Sequence, residues 1–456
     1  MSHFDKVIAG VVLGLGLAVA CLSIASARLG PTVDTMQTAQ SLDGALVNTQ
    51  IVLSFTEPMS IRSVERSFAI TPRVPGDFSW SGNELLFIPR RNLRFATRYT
   101  VTVGAGSQSA GGAHLARTFR QSFTTQSEHL LYLGTSGAER GRLVLASVNG
   151  DRSVVGASDG LITDYSVSFD RSLAVYVKRG SDGERADQLW LLSLADGSTQ
   201  RVFARSDWDI TQPHFSPDGR YVVFLASNVL LCQKYYGCFR DLRPQIELLD
   251  LSNHRVFPFR SRTDVPITNF IDFSPAGQIA YTDLGSALTL AQPNGQGLIH
   301  IPNENNSLEF VGFDTPGDKA AFVGQTPYST GGDILVYLRG KYLDVSRGIY
   351  DSSTPAFAGS GTRIAYAAYR GEQGIEPVYG INAYDFRSGR TLKLTSERGT
   401  SDWDPQWSSD DRYIAFVRSQ PQEAMYMGSG EIWVMRADSR DAHPLGAIGR
   451  DIQWVT

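Results

Sequence analysis

The sequence predicts an all-β chain in which a β-sandwich is followed by a seven-bladed β-propeller, after one apolar N-terminal helix. Three observations predict this fold. Residues 129–456 contain copies of one strand-turn-strand pattern at a spacing of roughly 40–50 residues, the length of a four-stranded blade. Residues 51–103 include runs that alternate apolar and polar side chains, as half-buried strands do. Residues 7–27 carry no charge.

The N-terminal segment, residues 1–28, is expected to direct export. Val7–Ala27 is apolar and long enough to cross a bilayer as a helix, which needs about 20 residues. Three outcomes are open: a retained signal anchor, a cleaved signal peptide ending at Ala27, or lipidation at Cys21. Each places residues 29–456 outside the cytoplasm, and the expectation is a single N-terminal membrane anchor, with the secreted and lipid-anchored forms as alternatives.

The second segment, residues 36–125, has the pattern of a β-sandwich. The runs at 51–55 (IVLSF) and 99–103 (YTVTV) alternate in polarity, and proline and glycine punctuate the residues between them. The segment resembles the bacterial Ig-like domain of surface-layer and other cell-envelope proteins. The positions that carry the resemblance are Phe55, Pro58, Met59, Phe68, Pro72, Phe78, Trp80, Phe87, Pro89, Leu93, Tyr99 and Phe123. In that family these are core and turn positions, so the resemblance implies a structural domain and no binding site.

The pattern of residues 129–456 predicts a propeller in which each unit has four strands, named a to d from the channel outwards. The clearest copies are 206–226 and 401–417, and fainter copies lie at 269–281, 310–322 and 354–366. Strand a ends at a Ser-Pro-Asp-Gly turn, strand b follows, and strands c and d form the outer hairpin. Six complete units are predicted, at about 160–205, 206–258, 263–301, 306–349, 350–394 and 395–447.

The remaining pieces of the propeller complement each other. Residues 129–158 supply strands b, c and d without an inner strand, whereas Asp451–Thr456 (DIQWVT) reads as an inner strand, since Gln453-Trp454 matches Gln406-Trp407. Pairing the end of the chain with 129–158 would close the ring at seven blades and hide the sheet edges that an open arrangement exposes.

These copies resemble the TolB-type propeller repeat. Its signature appears here as Pro213-His214-Phe215-Ser216-Pro217-Asp218-Gly219, followed by Val222 and Phe224. The resemblance covers residues 129–456 and implies the propeller fold. It does not choose a function, because such repeats occur in scaffolds, in receptors and in accessory domains of enzymes.

Composition and motifs exclude several functions. The net charge is −4 with basic and acidic residues interspersed, which gives no basic stripe for nucleic acid. No nucleophile elbow, zinc-protease motif, phosphate-binding loop or dinucleotide fingerprint occurs. We therefore expect a non-enzyme with no cofactor and no metal.

A binding surface is expected on the face of the propeller that carries the b–c loops and the d–a crossovers, which we call the loop-rich face. The long b–c gaps are Arg179–Asp187, Asn228–Pro244, Gln325–Gly332, Arg370–Val378 and Ser419–Gly430. The largest gap offers aromatic and basic side chains that are typical of interface hot spots, namely Tyr235, Tyr236, Phe239, Arg240 and Arg243. The alternative is that these aromatics fold back onto the blade.

Two cysteines in that loop, Cys232 and Cys238, are the only ones outside the apolar segment. In an oxidising compartment we expect them to form a disulfide, and two free thiols are the alternative.

Two Asp-Trp-Asp motifs are a second set of candidates. Because they precede strand a on the loop-rich face, Asp207, Asp209, Asp402 and Asp404 could make the mouth of the channel acidic and attract a cation or a basic peptide. The alternative is structural: the carboxylates satisfy backbone amides while Trp208 and Trp403 wedge between blades.

The sequence thus favours a non-catalytic extracytoplasmic scaffold or receptor that binds a protein or glycan of the cell envelope through the loop-rich face. The alternative is a propeller-based enzyme or accessory subunit of the lyase or glycosidase type, with a site in the central channel. A glycosidase would need two carboxylates about 5–10 Å apart there.

Overall fold

A computed structural model gives the structure of the chain. It describes residues 30–40, 44–47, 49–90, 93–180, 187–205, 208–228, 245–260, 271–283, 286–303, 308–324, 332–347, 352–373, 376–396, 399–420 and 429–455. The described residues form two compact units that meet in sequence between Ser127 and Glu128. The apolar segment Val7–Ala27 lies outside the described residues. None of the described helices has the length and apolar character needed to span a bilayer.

The first unit is a two-sheet sandwich with one short helix. Its elements are β1 (Val33–Thr38), β2 (Ile51–Phe55), α1 (Ile61–Ser67), β3 (Phe68–Thr71), β4 (Gly76–Ser81), β5 (Glu84–Pro89), β6 (Arg98–Val103) and β7 (Phe119–Thr124). One sheet has the order β1-β2-β5-β4 and the other β3-β6-β7. The alternation expected from IVLSF is present, since Ile51, Leu53 and Phe55 are buried. They pack with Tyr99 and Val101 of the other sheet in one core.

The second unit consists of β-strands and a single 3₁₀ turn among its described residues. The strands are β8 (His129–Gly134), β9 (Leu143–Ser147), β10 (Arg152–Val155), β11 (Ile162–Val167), β12 (Leu173–Arg179), β13 (Asp187–Ser193), β14 (Thr199–Ala204), β15 (Trp208–Phe215), β16 (Tyr221–Asn228), β17 (Gln245–Asp250), β18 (Arg255–Pro258), β19 (Ile271–Phe273), β20 (Ile279–Asp283), β21 (Ser286–Ala291), β22 (Ile299–Pro302), β23 (Glu309–Phe313), β24 (Lys319–Gly324), β25 (Asp333–Leu338), β26 (Lys341–Asp344), β27 (Ser353–Phe357), β28 (Arg363–Gln373), β29 (Glu376–Asp385), β30 (Arg390–Lys393), β31 (Ser401–Trp407), β32 (Tyr413–Ser419), β33 (Gly430–Arg436) and β34 (His443–Val455).

These strands form antiparallel meanders arranged as propeller blades. Five four-stranded sheets run from β11–β14 to β27–β30, and β31–β34 join β8–β10 in a seven-stranded sheet. The first strand of each sheet is the inner one. Inner strand β11 contacts β15 on one side and β34 on the other, and β31 contacts both β27 and β34. The apolar cores lie between neighbouring sheets, as the cluster that joins Val175 and Leu189 to Phe215 and Phe224 shows.

Strand β34 belongs to two meanders at once. Its first half pairs with β33 through His443 and Pro444, whereas its second half pairs with β8, with Trp454 opposite Leu130 and Val455 opposite His129. This confirms the predicted pairing of the C-terminal strand with the segment that begins at residue 129. The end of the chain therefore supplies the inner strand that β8–β10 lack.

The connections between strands a and b are short and uniform. Each has five residues, at 168–172, 216–220, 274–278, 314–318, 358–362 and 408–412. In the Ser-Pro-Asp-Gly turn, the Ser216 hydroxyl donates to Asp218 Oδ1 at 2.6 Å and accepts the Tyr221 N–H at 2.8 Å. The turn at Ser408 repeats the second bond to Tyr413 at 2.9 Å. The repeated turn is thus explained by its own hydrogen bonds.

Two expectations about the loop-rich face need correction. The Asp-Trp-Asp motifs extend into the inner strands, because Trp208 and Asp209 lie in β15 and the whole second motif, residues 402–404, lies in β31. The gap Arg370–Val378 is not a loop, because β28 and β29 continue as a paired hairpin up to Gln373 and Glu376. In both places extended backbone forms ladder hydrogen bonds that strand-length estimates from the sequence did not include.

Candidate functional site

The inner strands share a β-bulge at one repeated position. The register shifts at Gln212 in β15, Thr354 in β27, Asp404 in β31 and Asp451 in β34, where φ lies between +46° and +53°. Asp164 occupies the matching position of β11, four residues before its a–b turn, and follows a register shift. A bulge turns a side chain out of the ladder, and short polar residues tolerate this backbone conformation best.

Side chains at the bulge position join three of the inner strands to the next one. Asp164 Oδ2 accepts the N–H of Gln212 at 2.8 Å, Gln212 Oε1 accepts the N–H of Ile271 at 3.2 Å, and Thr354 Oγ1 accepts the N–H of Asp404 at 3.0 Å. Backbone groups that the bulge removes from the ladder are therefore satisfied by the neighbouring blade. These three contacts are therefore structural.

Three consecutive inner strands carry a carboxylate at this position, and we call Asp404, Asp451 and Asp164 the acidic arc. Burial raises the pKa of Asp404 to about 6, and the charge of Asp451 adds to that shift. Burial also raises the pKa of Asp451, where Asp164 adds to the shift and Arg450 opposes it. Arg450 reaches Asp451 at 3.3 Å. The arc makes one side of the channel negative and suits a cationic group.

A tyrosine lies beneath the acidic arc. The Tyr165 hydroxyl is buried within hydrogen-bonding distance of the Leu131 carbonyl oxygen, at 2.7 Å, and of the Asp451 carbonyl oxygen. Burial and the nearby carboxylates raise its pKa well above the ordinary value. The hydroxyl therefore stays protonated and holds β34 against β11.

A histidine and an aspartate meet on the next pair of inner strands. His214 Nδ1 lies 3.4 Å from Asp272 Oδ1. Burial raises the pKa of Asp272, and His214 opposes that shift. Within the described part of the chain, no group of three His, Cys, Asp or Glu side chains is arranged to hold a metal ion.

Asp402 has an environment unlike that of the acidic arc. Its Oδ1 accepts from Arg418 Nε at 2.6 Å and its Oδ2 from Arg418 Nη2 at 2.9 Å, and both side chains are buried. The guanidinium also lies 4.2 Å from the centre of the Trp433 ring. Asp402 is therefore neutralised within its own sheet and adds no free charge to the channel.

The remaining residues of the two motifs divide between surface and core. Asp209 is exposed, and Asp207 lies outside the described residues. Trp208 packs between the sheet of β11–β14 and that of β15–β18, with Arg205 stacked 4.1 Å from its ring centre. Trp403 contacts the cores on both sides of its sheet. The structural alternative is thus right for both tryptophans, whereas binding by the four aspartates stays a prediction.

The other predicted site residues cannot be placed. Tyr235, Tyr236, Phe239, Arg240 and Arg243 lie outside the described residues, as do Cys232 and Cys238. Their roles in binding and in a disulfide stay predictions.

The sequence interpretation missed Asp164, Asp451, Gln212 and Thr354. A signal for them exists, because each stands three residues before the position that matches Trp407 at the end of β31, and so aligns with Asp404. Asp404 alone of these residues belongs to an Asp-Trp-Asp motif, and that motif is why it was predicted.

Comparison with known proteins identifies the first unit. The family model described as the bacterial Ig-like domain matches residues 28–125. Residues 28–125 form a bacterial Ig-like domain. No curated protein matches the chain in sequence.

Among solved structures, β-propeller proteins are similar to this chain. A putative TolB from Agrobacterium tumefaciens is 14% identical, with 59% of this chain and 98% of that chain covered and a TM-score of 0.41. TolB from Acinetobacter baumannii is 15% identical, covering 85% and 83%, with a TM-score of 0.42. An oligogalacturonate lyase from Vibrio parahaemolyticus is 12% identical, covering 60% and 79%, with a TM-score of 0.47. Since these proteins differ in activity, their likeness does not choose a function for this chain.

Proposed function

We propose that this chain is a non-catalytic extracytoplasmic scaffold or receptor whose seven-bladed propeller binds a protein or glycan through its loop-rich face. One observation carries the proposal. The six a–b connections all have five residues, whereas the b–c connections between described strands range from two residues at 374–375 to sixteen at 229–244. Variable loops on one face of a rigid scaffold are where binding residues concentrate.

The largest connection has the composition of an interface. Residues 229–244 contain Tyr235, Tyr236 and Arg240, which combine a large contact area with hydrogen-bonding ends. A disulfide between Cys232 and Cys238 would hold these side chains in one arrangement and reduce the entropy lost on binding. This loop is the proposed centre of the interface.

The acidic arc supports the same function in a second way. Inner strands line the central channel of a propeller, and Asp404 and Asp451 lie on the adjacent inner strands β31 and β34, so we expect their carboxylates at that channel. A partner that covers this face and presents a lysine or arginine would find a complementary charge at the centre. Arg450 limits the arc to a small net negative charge, which favours one basic side chain over a long basic segment.

The location outside the cytoplasm is part of the proposal. Val7–Ala27 is an uncharged apolar run of membrane-spanning length. We propose that it anchors the protein in the cytoplasmic membrane and that the bacterial Ig-like domain serves as a spacer between membrane and propeller. Protease protection of an epitope-tagged chain in spheroplasts tests this placement, because the anchored protein would be digested from outside.

Site-directed crosslinking tests the binding face. A photoreactive amino acid at position 236 should capture a partner in envelope preparations, whereas the same group at position 218, in an a–b turn, should capture none. In a separate binding measurement with the captured partner, replacing Tyr235, Tyr236 and Arg240 with Ala should weaken binding by at least ~2 kcal/mol if they are central anchors. The matched control replaces Asp218 and Asp318 with Ala on the opposite face. Crosslinks that arise only from the a–b turns or from residues 28–125 would refute the assignment.

One observation favours the enzymatic alternative. Asp404 and Asp451 lie on adjacent inner strands, and the pKa of each carboxyl group is raised. A carboxyl group whose pKa is close to neutral can act as a general acid. Replacing both with Asn distinguishes the two functions. Hydrolysis or elimination of an envelope polysaccharide that disappears in this variant would establish an enzyme and overturn the non-catalytic proposal.

A further inference from the structure

The outer hairpins of two neighbouring sheets carry an excess of positive charge. An outer hairpin runs here from the last residue of the third strand of a sheet to the last residue of the fourth. In the sheet β23–β26 it contains two exposed cations and one carboxylate, and in the sheet β27–β30 three exposed cations and one carboxylate. Another exposed cation follows β26. The six cations are Arg339, Lys341, Arg347, Arg387, Arg390 and Lys393.

The remaining outer hairpins of the second unit show that this excess is not a property of the repeat. Counting Lys, Arg, Asp and Glu, each of them has no net charge, at 147–155, 193–204, 250–258, 291–302 and 436–449. Where such a hairpin carries an arginine, a carboxylate can neutralise it, as Asp438 does for Arg440. The repeated blade thus serves as its own comparison, and two adjacent copies depart from it.

The excess charge is not compensated locally. Among the described residues, none of the six cations belongs to an ion pair. The two carboxylates of these hairpins bond within their own turns. Asp344 Oδ1 accepts from the Ser346 hydroxyl at 2.8 Å, and Asp385 Oδ1 accepts the N–H of Ser388 at 2.7 Å. Six cations against two carboxylates leave an excess of four positive charges at the surface.

Direct contacts join the two hairpins. Arg347 Nη2 donates to the carbonyl oxygen of Gly389 at 2.6 Å, and its guanidinium lies 5.7 Å from the centre of the Tyr384 ring. The Tyr366 hydroxyl donates to the carbonyl oxygen of Val345 at 3.2 Å. The six cations therefore belong to one surface patch, which we call the basic rim.

Both outer strands of the basic rim place an exposed leucine beside a cation. Leu343 is 37% exposed and Leu392 is 55% exposed. Lys341 and Leu343 are two residues apart in β26, as are Arg390 and Leu392 in β30, so each pair points to one side of its strand. A bilayer with anionic headgroups accepts both kinds of side chain at once, because the cations meet the phosphates and the leucines reach the acyl boundary.

We propose that the basic rim docks on the surface of an anionic phospholipid bilayer, so that the outer strands β26 and β30 lie against the membrane. The inference rests on the proposed membrane anchor, residues 7–27, which keeps the propeller close to a bilayer. Because the contact uses outer strands, it is compatible with a partner bound to the b–c loops.

Fluorescence quenching in vesicles tests this contact with the full-length protein. A fluorescent amino acid replaces Leu392, and the vesicles contain phosphatidylcholine and phosphatidylglycerol with brominated acyl chains, which quench a fluorophore that they contact. The matched control carries the fluorophore at position 299, which is 51% exposed on outer strand β22 of an uncharged hairpin. We expect quenching at 392 and none at 299. Pure phosphatidylcholine or about 0.5 M sodium chloride should remove it, since salt screens exposed charges.

Charge removal tests the role of the cations. Arg390→Gln combined with Lys393→Gln should lower the equilibrium constant of the contact by about 25-fold, at about fivefold for each cation. Arg440→Gln, at a cation that is already paired with Asp438, is the matched control and should leave quenching at 392 unchanged. Equal emission at 392 and 299 would overturn the proposal and leave an acidic protein surface as the occupant of the basic rim. Quenching that ignores phosphatidylglycerol or survives the double variant would overturn it as well.

Flotation separates this proposal from the proposed anchor. A full-length chain that floats with pure phosphatidylcholine vesicles is anchored, and absence of quenching at 392 then overturns the basic rim alone. A chain that does not float with them lacks the anchor, and the basic rim is judged by the same quenching with phosphatidylglycerol vesicles.

Discussion

The indole N–H of Trp454 donates to the backbone carbonyl of Gln406 at 2.8 Å, which joins the last strand of the chain to the inner strand of the neighbouring meander. Trp454 is 4% exposed and stacks on Tyr413 with ring centres 6.3 Å apart. The C-terminal residues thus take part in the sheet and in the apolar core beneath it.

Removing Ile448–Thr456 should therefore destroy the soluble monomer of the second unit. The truncation deprives β8 of its inner partner and exposes both a sheet edge and the apolar surface under Trp454. Size-exclusion chromatography and thermal unfolding measure the effect. A chain that ends at Ala447 and melts cooperatively at the full-length temperature would refute this closure and the seven-blade count with it.

The way β34 pairs with β8 also shows what could be predicted from the sequence. The pairing of β34 with β8 followed from one repeat copy that lacked an inner strand and another that had only that strand. The five-residue turns followed from repeated Ser and Asp side chains. The bulges at Gln212, Thr354 and Asp451 did not, because each breaks the alternation of buried and exposed residues at only one position, as between Ile210 and Pro213 in β15.

Glu128, next to β8, makes a pH-dependent contribution to the free energy of unfolding. Its Oε1 accepts from Arg171 at 3.0 Å and from the N–H of Ser409 at 2.7 Å, whereas its Oε2 and Asp410 Oδ2 are buried without a hydrogen-bond donor. Burial raises the pKa of Glu128 to about 7, against the opposing effect of Arg171. The charge of Asp410 adds to this shift, so the protonated form of Glu128 is favoured in the folded protein.

The sign of the effect follows from that raised pKa. The folded protein holds the proton more tightly than the unfolded chain, so the free energy of unfolding falls as pH rises from about 4.5 to about 7. Glu128→Gln keeps a donor at every pH. The free energy of unfolding of this variant minus that of the wild type should therefore rise by on the order of 2 kcal/mol from pH 5 to pH 8. Urea unfolding at both pH values measures this, and parallel changes in the two proteins would contradict it.

Removing one partner of the buried ion pair Asp402–Arg418 should greatly reduce the free energy of unfolding. Arg418→Ala leaves a buried carboxylate without its bidentate partner, so we expect a loss of about 3–5 kcal/mol. Replacing both residues with apolar side chains of similar size should cost far less. Arg440→Ala at the exposed pair with Asp438 is the matched control and should cost under about 1 kcal/mol. Equal losses at both pairs would show that Asp402 is well solvated.

Thr354 tests the bulge contacts between inner strands, because two effects at this residue act in opposite directions. Its Oγ1 accepts the N–H of Asp404, which stabilises the junction, but its φ of +46° is unfavourable for a β-branched side chain. Thr354→Val keeps the strain and loses the acceptor, so it should reduce the free energy of unfolding by about 1–2 kcal/mol.

Thr354→Asn separates the two effects. Asparagine tolerates a positive φ, and its side-chain oxygen can still accept the N–H of Asp404. We therefore expect the order of stability Asn, then Thr, then Val in urea unfolding of the full-length protein. If Val unfolds at the same urea concentration as Thr, the contact with Asp404 contributes nothing, and the polar lining of the inner strands is then available for ligands and is not needed to hold the ring.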